Sequence, residues 1–396
     1  MTYKELLETY PVVKKLSIVQ VIAYFGAWFS NVAIYTMLID FEAGPIIISA
    51  VAAMHLLPAV VLAPLGGAVI DRFKLKPLMT TLLFTELIMT ALFLLITSID
   101  QVWFLMLILF IRMGAASMFF TSEMSLLPKL IDGEALQKAN EIHSIIWSFT
   151  FTAGMALGGF VVNLYGIKTA FLIDMGFFIA AIIVFYRTDF NIAFVKSEET
   201  IRSLIVDGFY YIKLHPKIFH IILLHSSVGL TAYDTLIALL ADHHYKYVIA
   251  VPLAIGLSNA VRSLALMVGP FLLTNFVNDV RLFYIFIFQG VAVIIWGLIQ
   301  EDFYLGLIGM FLVGFTTTTI WSYTYAMLQN EVEKKYIGRV VAYNDMIFMV
   351  SNVLTTFFIG IMATKVDLGI ITILLGIAFF IVAIYYQKIF LAWKFK

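Results

Sequence analysis

Long apolar runs separated by short polar clusters are the main pattern in this chain of 396 residues. The runs are continuous and do not alternate with period two, so they predict α-helices and not the strands of a barrel. A helix needs about 20 apolar residues to cross a bilayer. Twelve spans are predicted, near residues 16–39, 46–70, 78–99, 103–127, 139–164, 169–186, 218–241, 250–276, 281–299, 303–328, 340–364 and 368–387.

A polar stretch, residues 187–217, separates the spans into two sets of six and predicts an N-terminal half, 1–186, and a C-terminal half, 218–396. Apolar residues at helical spacing in the stretch predict an amphipathic linker helix on the cytoplasmic surface. These residues are Ile201, Leu204, Ile205, Phe209 and Ile212.

The halves resemble each other at an offset of 204 residues. Asn140-Glu141 recurs as Asn344-Asp345, and Asp71 falls on Asn275. Both matches agree with a duplicated six-helix unit. The predicted fold class is therefore an all-α polytopic membrane protein with two pseudo-symmetric six-helix halves.

Composition supports a membrane protein, since 62% of residues are hydrophobic and 13% are charged. The mean hydropathy is +0.99, which is too apolar for a soluble core. The net charge of zero gives no indication of a nucleic-acid partner. The absence of cysteine excludes disulfides, thiolate metal sites and thiol nucleophiles.

The positive charges predict the orientation. Twenty of the 25 Lys and Arg residues lie on one side of the predicted spans, and only Lys168, Lys246 and Lys365 lie on the other. By the positive-inside rule both termini are cytoplasmic. No small-residue cleavage site precedes the first span, so it is expected to be retained. The expected location is the cytoplasmic (inner) membrane of a prokaryote.

A charged loop follows the second span and contains Gly67, Asp71, Arg72 and Lys76. It resembles the loop between helices 2 and 3 of the major facilitator superfamily, a family of transporters with twelve helices. Lys74 and Leu75 depart from that pattern. The resemblance implies a gate in which Asp71 faces the start of helix 11 and Arg72 approaches Glu123. The residues assigned to this gate are Gly67, Asp71, Arg72, Gly338 and Arg339.

Four more segments make the resemblance to particular branches of the superfamily more specific. Residues 110–114 are similar to an Arg-containing motif of proton-coupled members, and 154–159 resemble the antiporter signature, with Met155 in place of its proline. Residues 126–131 and 336–340 resemble loops of the macrolide-efflux and enterobactin-exporter branch.

Polar and aromatic residues recur at helical spacing in the first, seventh and tenth spans. In the superfamily, helices 1, 4, 7 and 10 line the central cavity, so the resemblance assigns these residues to substrate binding. For the aromatic residues, helix packing or an interfacial aromatic belt is the alternative. The set is Tyr24, Trp28, Asn31, Tyr35, Ser227, Thr231, Thr317, Trp321 and Thr324.

Charged residues within spans are costly, and they commonly mark proton or substrate pathways. Those assigned to proton coupling are Glu86, Glu123, Asp234, Arg112 and Arg262. Helical spacing places Arg112 and Glu123 on one face. Depth along neighbouring spans predicts that Arg262 can reach Asp234. A structural ion pair that holds the bundle is the alternative to a role in coupling.

Other chemistry is sparse. His243 and His244 follow Asp242, but adjacent histidines on a helix point about 100° apart, and we interpret them as a solvated cluster and not a metal site. His143 lies two residues after Glu141 and could relay protons, but we interpret it as part of a solvated helix end. No Gly-Lys-Ser/Thr loop is present, so ATP is not expected to drive transport. We expect no cofactor, no metal site and no enzymatic activity.

These observations predict a monomeric secondary transporter that exports a small amphiphilic compound in exchange for protons, by alternating access. A siderophore or metal-ion exporter and a lysolipid flippase are the alternatives within transport. A non-transporting membrane scaffold is disfavoured because it needs neither intramembrane charges nor two symmetric halves.

Overall fold

The computed structural model describes residues 2–62, 73–188, 201–273, 275–333 and 335–394, and these residues contain helices and no strands. The helices are α1 (Tyr3–Thr9), α2 (Pro11–Asp40), α3 (Pro45–Met54), α4 (Leu75–Phe93), α5 (Val102–Leu130), α6 (Gly133–Tyr165), α7 (Ile167–Tyr186), α8 (Ile201–Leu214), α9 (Pro216–Ser226), α10 (Asp234–His243), α11 (Val251–Leu273), α12 (Leu282–Ile299), α13 (Phe303–Glu331), α14 (Ile337–Met362) and α15 (Leu368–Lys394).

Twelve segments of this described chain are long and apolar enough to cross a membrane, which confirms the predicted fold class. The second segment is Pro45–Leu62, which extends α3. The remainder of the predicted span 46–70 lies outside the described residues. The seventh segment, Pro216–His243, contains both α9 and α10.

The chain forms two compact units. The first comprises Met1–Ala43 and Val61–Thr200, and the second comprises Gly44–Val60 and Ile201–Lys396. Sequence analysis places all of the second span in the N-terminal half. In the structure α3 belongs to the second unit, where it packs against α14 and α10.

In the first unit α2 packs most extensively against α6 and α7, and α4 packs against α5 and α7. The short helix α1 precedes α2 and begins with a capping box between Thr2 and Glu5. Its Leu6 side chain is fully buried. The Tyr3 hydroxyl donates to Glu141 Oε2 on α6 at 2.8 Å. This hydrogen bond holds α1 against the N-terminal part of α6.

In the second unit α11 packs against α13, and α12 packs against α15. Close packing of α11 and α13 depends on Gly314, because a side chain there would collide with the backbone carbonyl of Arg262. The linker helix α8 packs against α14. Its Tyr211 ring stacks on Tyr336, with ring centroids 4.2 Å apart.

The seventh span is not a continuous helix. Helix α9 ends at Ser226, a 3₁₀ turn covers Ser227–Thr231, and α10 starts at Asp234. A break leaves backbone groups without their usual helical partners, which lipid cannot satisfy. Irregular backbone within a membrane is therefore expected only where protein or water covers it, as at transporter binding sites.

Candidate functional site in each unit

Arg112 forms a buried ion pair in the first unit. Its Nη2 lies 2.7 Å from Asp174 Oδ2 on α7, and both side chains are almost completely inaccessible. The Ser30 hydroxyl on α2 also donates to Asp174. The Phe93 and Phe178 rings lie beside the guanidinium, each with its centroid 5.6 Å from Arg112 Cζ. The charge of Arg112 is thus neutralised by Asp174, a residue that sequence analysis did not select.

Glu86 on α4 is also buried. It lies close enough to Arg112 and Asp174 for both charges to act on its carboxyl group. The structure therefore places Glu86 at the edge of the Arg112–Asp174 pair.

Glu123 on α5 has a different environment. It is 1% exposed, and neither of its carboxylate oxygens makes a hydrogen bond in the described part of the chain. Gln20 and Tyr24 on α2 approach this carboxyl group without reaching hydrogen-bond geometry. Arg112 and Glu123 were predicted to share a face, but the partner of Arg112 is Asp174.

His143 on α6 completes the polar cluster around Glu123. It is buried, so its interpretation as part of a solvated helix end is wrong. Gln20 Nε2 lies 2.5 Å from His143 Nδ1. Because an amide nitrogen can only donate, His143 accepts at Nδ1 and carries its proton on Nε2. The Tyr24 ring meets the imidazole edge-on, with centroids 6.2 Å apart.

The other aromatic residues predicted on α2 serve packing in this structure. The Trp28 ring packs against Phe151 with centroids 4.4 Å apart, and Trp28 also fills the space beside Gly154. Tyr35 is buried, and Asn31 is half-buried.

Arg262 supports the break in the seventh span of the second unit. Its Nη2 donates to the backbone carbonyl of Thr231 at 2.8 Å, a group that the end of the 3₁₀ turn leaves without a helical partner. Its Nη1 lies 3.9 Å from Asp234 Oδ1. The structure therefore brings Asp234 and Arg262 together. Asp234 begins α10, where the positive end of the helix dipole also favours a carboxylate.

This second pair is more accessible than the first. The Asp234 side chain is 42% exposed and that of Arg262 is 12% exposed. The Tyr233 ring lies beside the guanidinium, 5.4 Å from Arg262 Cζ. Ser227 and Thr231 lie in the 3₁₀ turn, and their hydroxyls donate to the carbonyls of Leu224 and Val228.

Of the three predicted residues on α13, two are buried and one is partly exposed. Thr317 is buried and donates to the Val313 carbonyl. Trp321 is 39% exposed and stacks on Tyr325, with centroids 5.0 Å apart. Thr324 is buried, and its hydroxyl oxygen lies 2.9 Å from His225 Nδ1 on α9. His225, also buried, was not selected from the sequence.

The predicted gate is described only in part. Gly67, Asp71 and Arg72 lie outside the described residues, so the contacts predicted for Asp71 and Arg72 stay predictions. Gly338 is in the first turn of α14. Arg339 Nη1 lies 3.3 Å from Asp207 Oδ2 on the linker helix α8.

Asp174 could have been found from the sequence, because it is an acidic residue within the predicted span 169–186. Gln20 is a single polar residue in an apolar run, and His225 is followed by two serines; only packing shows that they meet His143 and Thr324. No group of three or more metal-ligating side chains occurs among the residues with described positions.

Twelve spans, with charged pairs and a broken helix inside them, define a polytopic membrane transporter. The family model of the Major Facilitator Superfamily matches residues 16–346, and the chain belongs to this family. The uncharacterized MFS-type transporter YfiS of Bacillus subtilis (strain 168) is 29% identical over 170 residues. That match covers 42% of this chain and 40% of YfiS, so the chain spans well under half the length of this curated relative.

Two solved structures share the fold over nearly the whole chain. The nucleoside transporter NupG has a TM-score of 0.70 at 12% identity, with 98% of this chain and 99% of NupG covered. A bacterial homologue of the human lysosomal transporter Spinster, in an inward-facing and unoccupied conformation, has a TM-score of 0.73 at 13% identity, with 96% of each chain covered. At these identities the likeness shows the fold alone.

Proposed function

We propose that this chain is a proton-coupled secondary transporter that exports a small amphiphilic compound by alternating access. The observation that carries the proposal is Glu123, which is buried and has no hydrogen-bond partner in the described parts of the chain. An ionised carboxylate in such a place is costly, whereas the protonated form loses most of that cost. Reversible protonation is the simplest role for it.

Among the intramembrane acids Glu123 is the best candidate for the coupling proton. Asp174 is paired with Arg112, and Asp234 has both Arg262 and a helix N-terminus. Protonation of either acid would break an ion pair. Glu86 lies near the Arg112–Asp174 pair. Glu123 takes part in no described ion pair that its protonation would break.

The coupling follows from a difference between conformations. If Glu123 meets water from one side of the membrane at a time, the side that is open decides which proton concentration it samples. The Gln20–His143 hydrogen bond and the Tyr24 ring lie next to it. We propose that these residues hold the carboxyl group away from Arg112 and form the path by which a proton reaches it.

The exposed and polar residues of α13 are compatible with an amphiphilic substrate. Trp321 is partly accessible and is stacked on Tyr325, which offers a flat apolar surface beside the polar Thr324–His225 pair. We favour an amphiphilic compound over a bare metal ion because this aromatic surface suits apolar groups. Siderophore export and lysolipid flipping remain the alternatives.

The test uses purified protein in liposomes with the fluorescent amine ethidium as the probe. A gradient of one pH unit can support about tenfold accumulation for each proton exchanged. We expect the gradient to drive ethidium accumulation by the wild type and not by Glu123→Gln. Exchange of ethidium across the membrane without a gradient should persist in Glu123→Gln.

The matched control is Glu301→Gln, which removes an exposed carboxylate outside the spans and should behave as the wild type. Equal accumulation by wild type and Glu123→Gln would contradict the assignment of Glu123. Equal rates with and without a pH gradient in the wild type would contradict proton coupling itself.

A further inference from the structure

The second unit contains a cavity of about 610 Å³ that is separate from the predicted substrate residues. It is bounded by the beginning of α9, the last three turns of α13, the segment between α11 and α12, and the end of α15. Cavities of about 300–1,000 Å³ are typical of small-ligand sites. The volume is therefore sufficient for a small organic molecule.

The position of the cavity on α13 distinguishes it from the predicted substrate stripe. Tyr323 and Asn330 line the cavity, whereas Trp321 belongs to the stripe. At 100° per residue, Tyr323 and Asn330 lie roughly opposite Trp321 around the helix. A ligand in the cavity would therefore occupy another face of α13.

The polar lining carries more negative than positive charge. Its charged groups are Lys217, Asp279 and Glu331. Lys217 Nζ lies 2.5 Å from Glu331 Oε2, so these two charges compensate each other. In the described second unit no Lys, Arg or His lies within ion-pair distance of Asp279. Among the described residues, Asp279 is thus the charged group of the lining that has no charged partner.

Asp279 is held in position by two tyrosines. The Tyr323 hydroxyl donates to Asp279 Oδ1 at 2.7 Å, and the Tyr386 hydroxyl donates to the Asp279 backbone carbonyl at 2.5 Å. A carboxylate oxygen has more than one acceptor site, so the contact with Tyr323 leaves capacity for another partner. Asp279 is a preorganised anion at the rim of the cavity.

The remaining wall is apolar and partly aromatic. It includes Ile221, Met327 and Phe390. The rings of Tyr323 and Phe390 can interact with a cation through their faces. One carboxylate, two aromatic rings and an apolar wall match a monovalent organic cation with hydrophobic substituents.

We infer that this cavity binds lipophilic organic monocations at a site distinct from the transport pathway. The inference does not depend on proton coupling, because binding at this site requires no gradient. Lys217 and Glu331 lie at the ends of α9 and α13 that adjoin the linker helix α8, so under the proposed orientation the cavity faces the cytoplasm.

The test is equilibrium dialysis of tetraphenylphosphonium against purified full-length protein in detergent. Asp279→Asn should weaken binding about tenfold, the effect of one partly screened charge contact. Glu301→Gln carries the same change in charge at an exposed position outside the cavity and should leave binding unchanged. The neutral analogue triphenylphosphine oxide should not distinguish Asp279→Asn from the wild type.

Two further variants control for misfolding and for binding of the probe at another site. Ala326→Trp keeps every charge but fills the cavity, and it should abolish binding while the melting temperature is retained. In the Trp321→Ala background, Asp279→Asn should still weaken binding about tenfold. Wild-type affinity in both Asp279→Asn and Ala326→Trp would overturn the inference. Loss of binding in Trp321→Ala alone would assign the probe to the predicted substrate stripe and would also overturn it.

Discussion

The guanidinium of Arg262 donates a hydrogen bond to the backbone carbonyl of Thr231, 2.8 Å away. The same side chain lies 3.9 Å from Asp234. Arg262 therefore has two tasks, because it satisfies a carbonyl at the break in the seventh span and compensates a carboxylate.

The first prediction separates these tasks. Asp234→Asn should lower the free energy of unfolding by at most about 1 kcal/mol, because Asp234 is substantially exposed and such pairs contribute little. Arg262→Gln should cost about 1–3 kcal/mol, because the Thr231 carbonyl loses its charged donor and keeps only the Tyr233 amide, 2.9 Å away. Thermal unfolding in detergent would measure both. A larger loss in Asp234→Asn than in Arg262→Gln would contradict this order.

The second prediction concerns the buried pair of the first unit. Asp174→Asn leaves Arg112 buried without a compensating charge, which should cost about 3–5 kcal/mol. The melting temperature should fall by an amount on the order of 10 °C. The double variant Arg112→Met with Asp174→Leu should recover most of this loss, since apolar replacements remove the desolvation cost. If the melting temperature of the double variant does not recover, the pair stabilises the protein by more than mutual compensation of its charges.

The third prediction uses two glycines. Gly314→Ala should destabilise the protein by about 1–3 kcal/mol, because the added methyl group meets the Arg262 carbonyl and α11 must move away from α13. Gly176→Ala is the matched control, because nothing lies within 4 Å of the added atom. It should be neutral or stabilising by up to about 1 kcal/mol. Equal melting temperatures for the two variants would exclude a packing role for Gly314.

The fourth prediction concerns the linker helix α8. Tyr211→Ala removes the stack on Tyr336 and the acceptor for the Glu333 amide, so α8 should detach more often. Limited trypsin digestion should then cleave after Lys213 several-fold faster. Tyr210→Ala, at a 57% exposed position, should leave the rate unchanged. If trypsin cleaves Tyr211→Ala no faster than the wild type, other contacts hold α8 against α14.

The fifth prediction tests the gate. Asp71→Asn should abolish transport of ethidium in liposomes while the melting temperature stays within about 2 °C of the wild type, because one charge in a loop predicted at the membrane surface contributes little to stability. Asp100→Asn, an exposed acid on the opposite predicted surface, serves as the control. Transport by Asp71→Asn at the wild-type rate would remove Asp71 from the gate.

Much of the fold was predictable because length and hydropathy determine which segments can cross a bilayer. Twelve candidate spans occur in the described chain, the second of them only as Pro45–Leu62. The break at Ser227–Thr231 was not predicted. The spacing of Ser227, Thr231 and Asp234 suits a continuous helix equally well, so the polar pattern could not reveal the 3₁₀ turn that interrupts the span.

The sequence predicted most of the charged residues at the candidate sites, but it predicted less well which of them form pairs. Asp234 and Arg262 lie on the consecutive seventh and eighth spans, so depth in the membrane was enough to pair them. Arg112 and Asp174 come from the fourth and sixth spans, and helical spacing alone cannot choose among Glu86, Glu123 and Asp174 as the partner. That choice depends on which helices pack together, which is a tertiary property.

The interrupted seventh span also has a consequence for biosynthesis. Helix α9 has 11 residues and α10 has 10, and each is about half the length needed to cross a bilayer. Neither can be stable in lipid alone, because the turn between them exposes backbone groups. We expect this segment to enter the membrane as one uninterrupted helix. The helix should break only after α11, which carries Arg262, has also been inserted. The nascent chain would therefore reach its mature shape here later than its position in the sequence suggests.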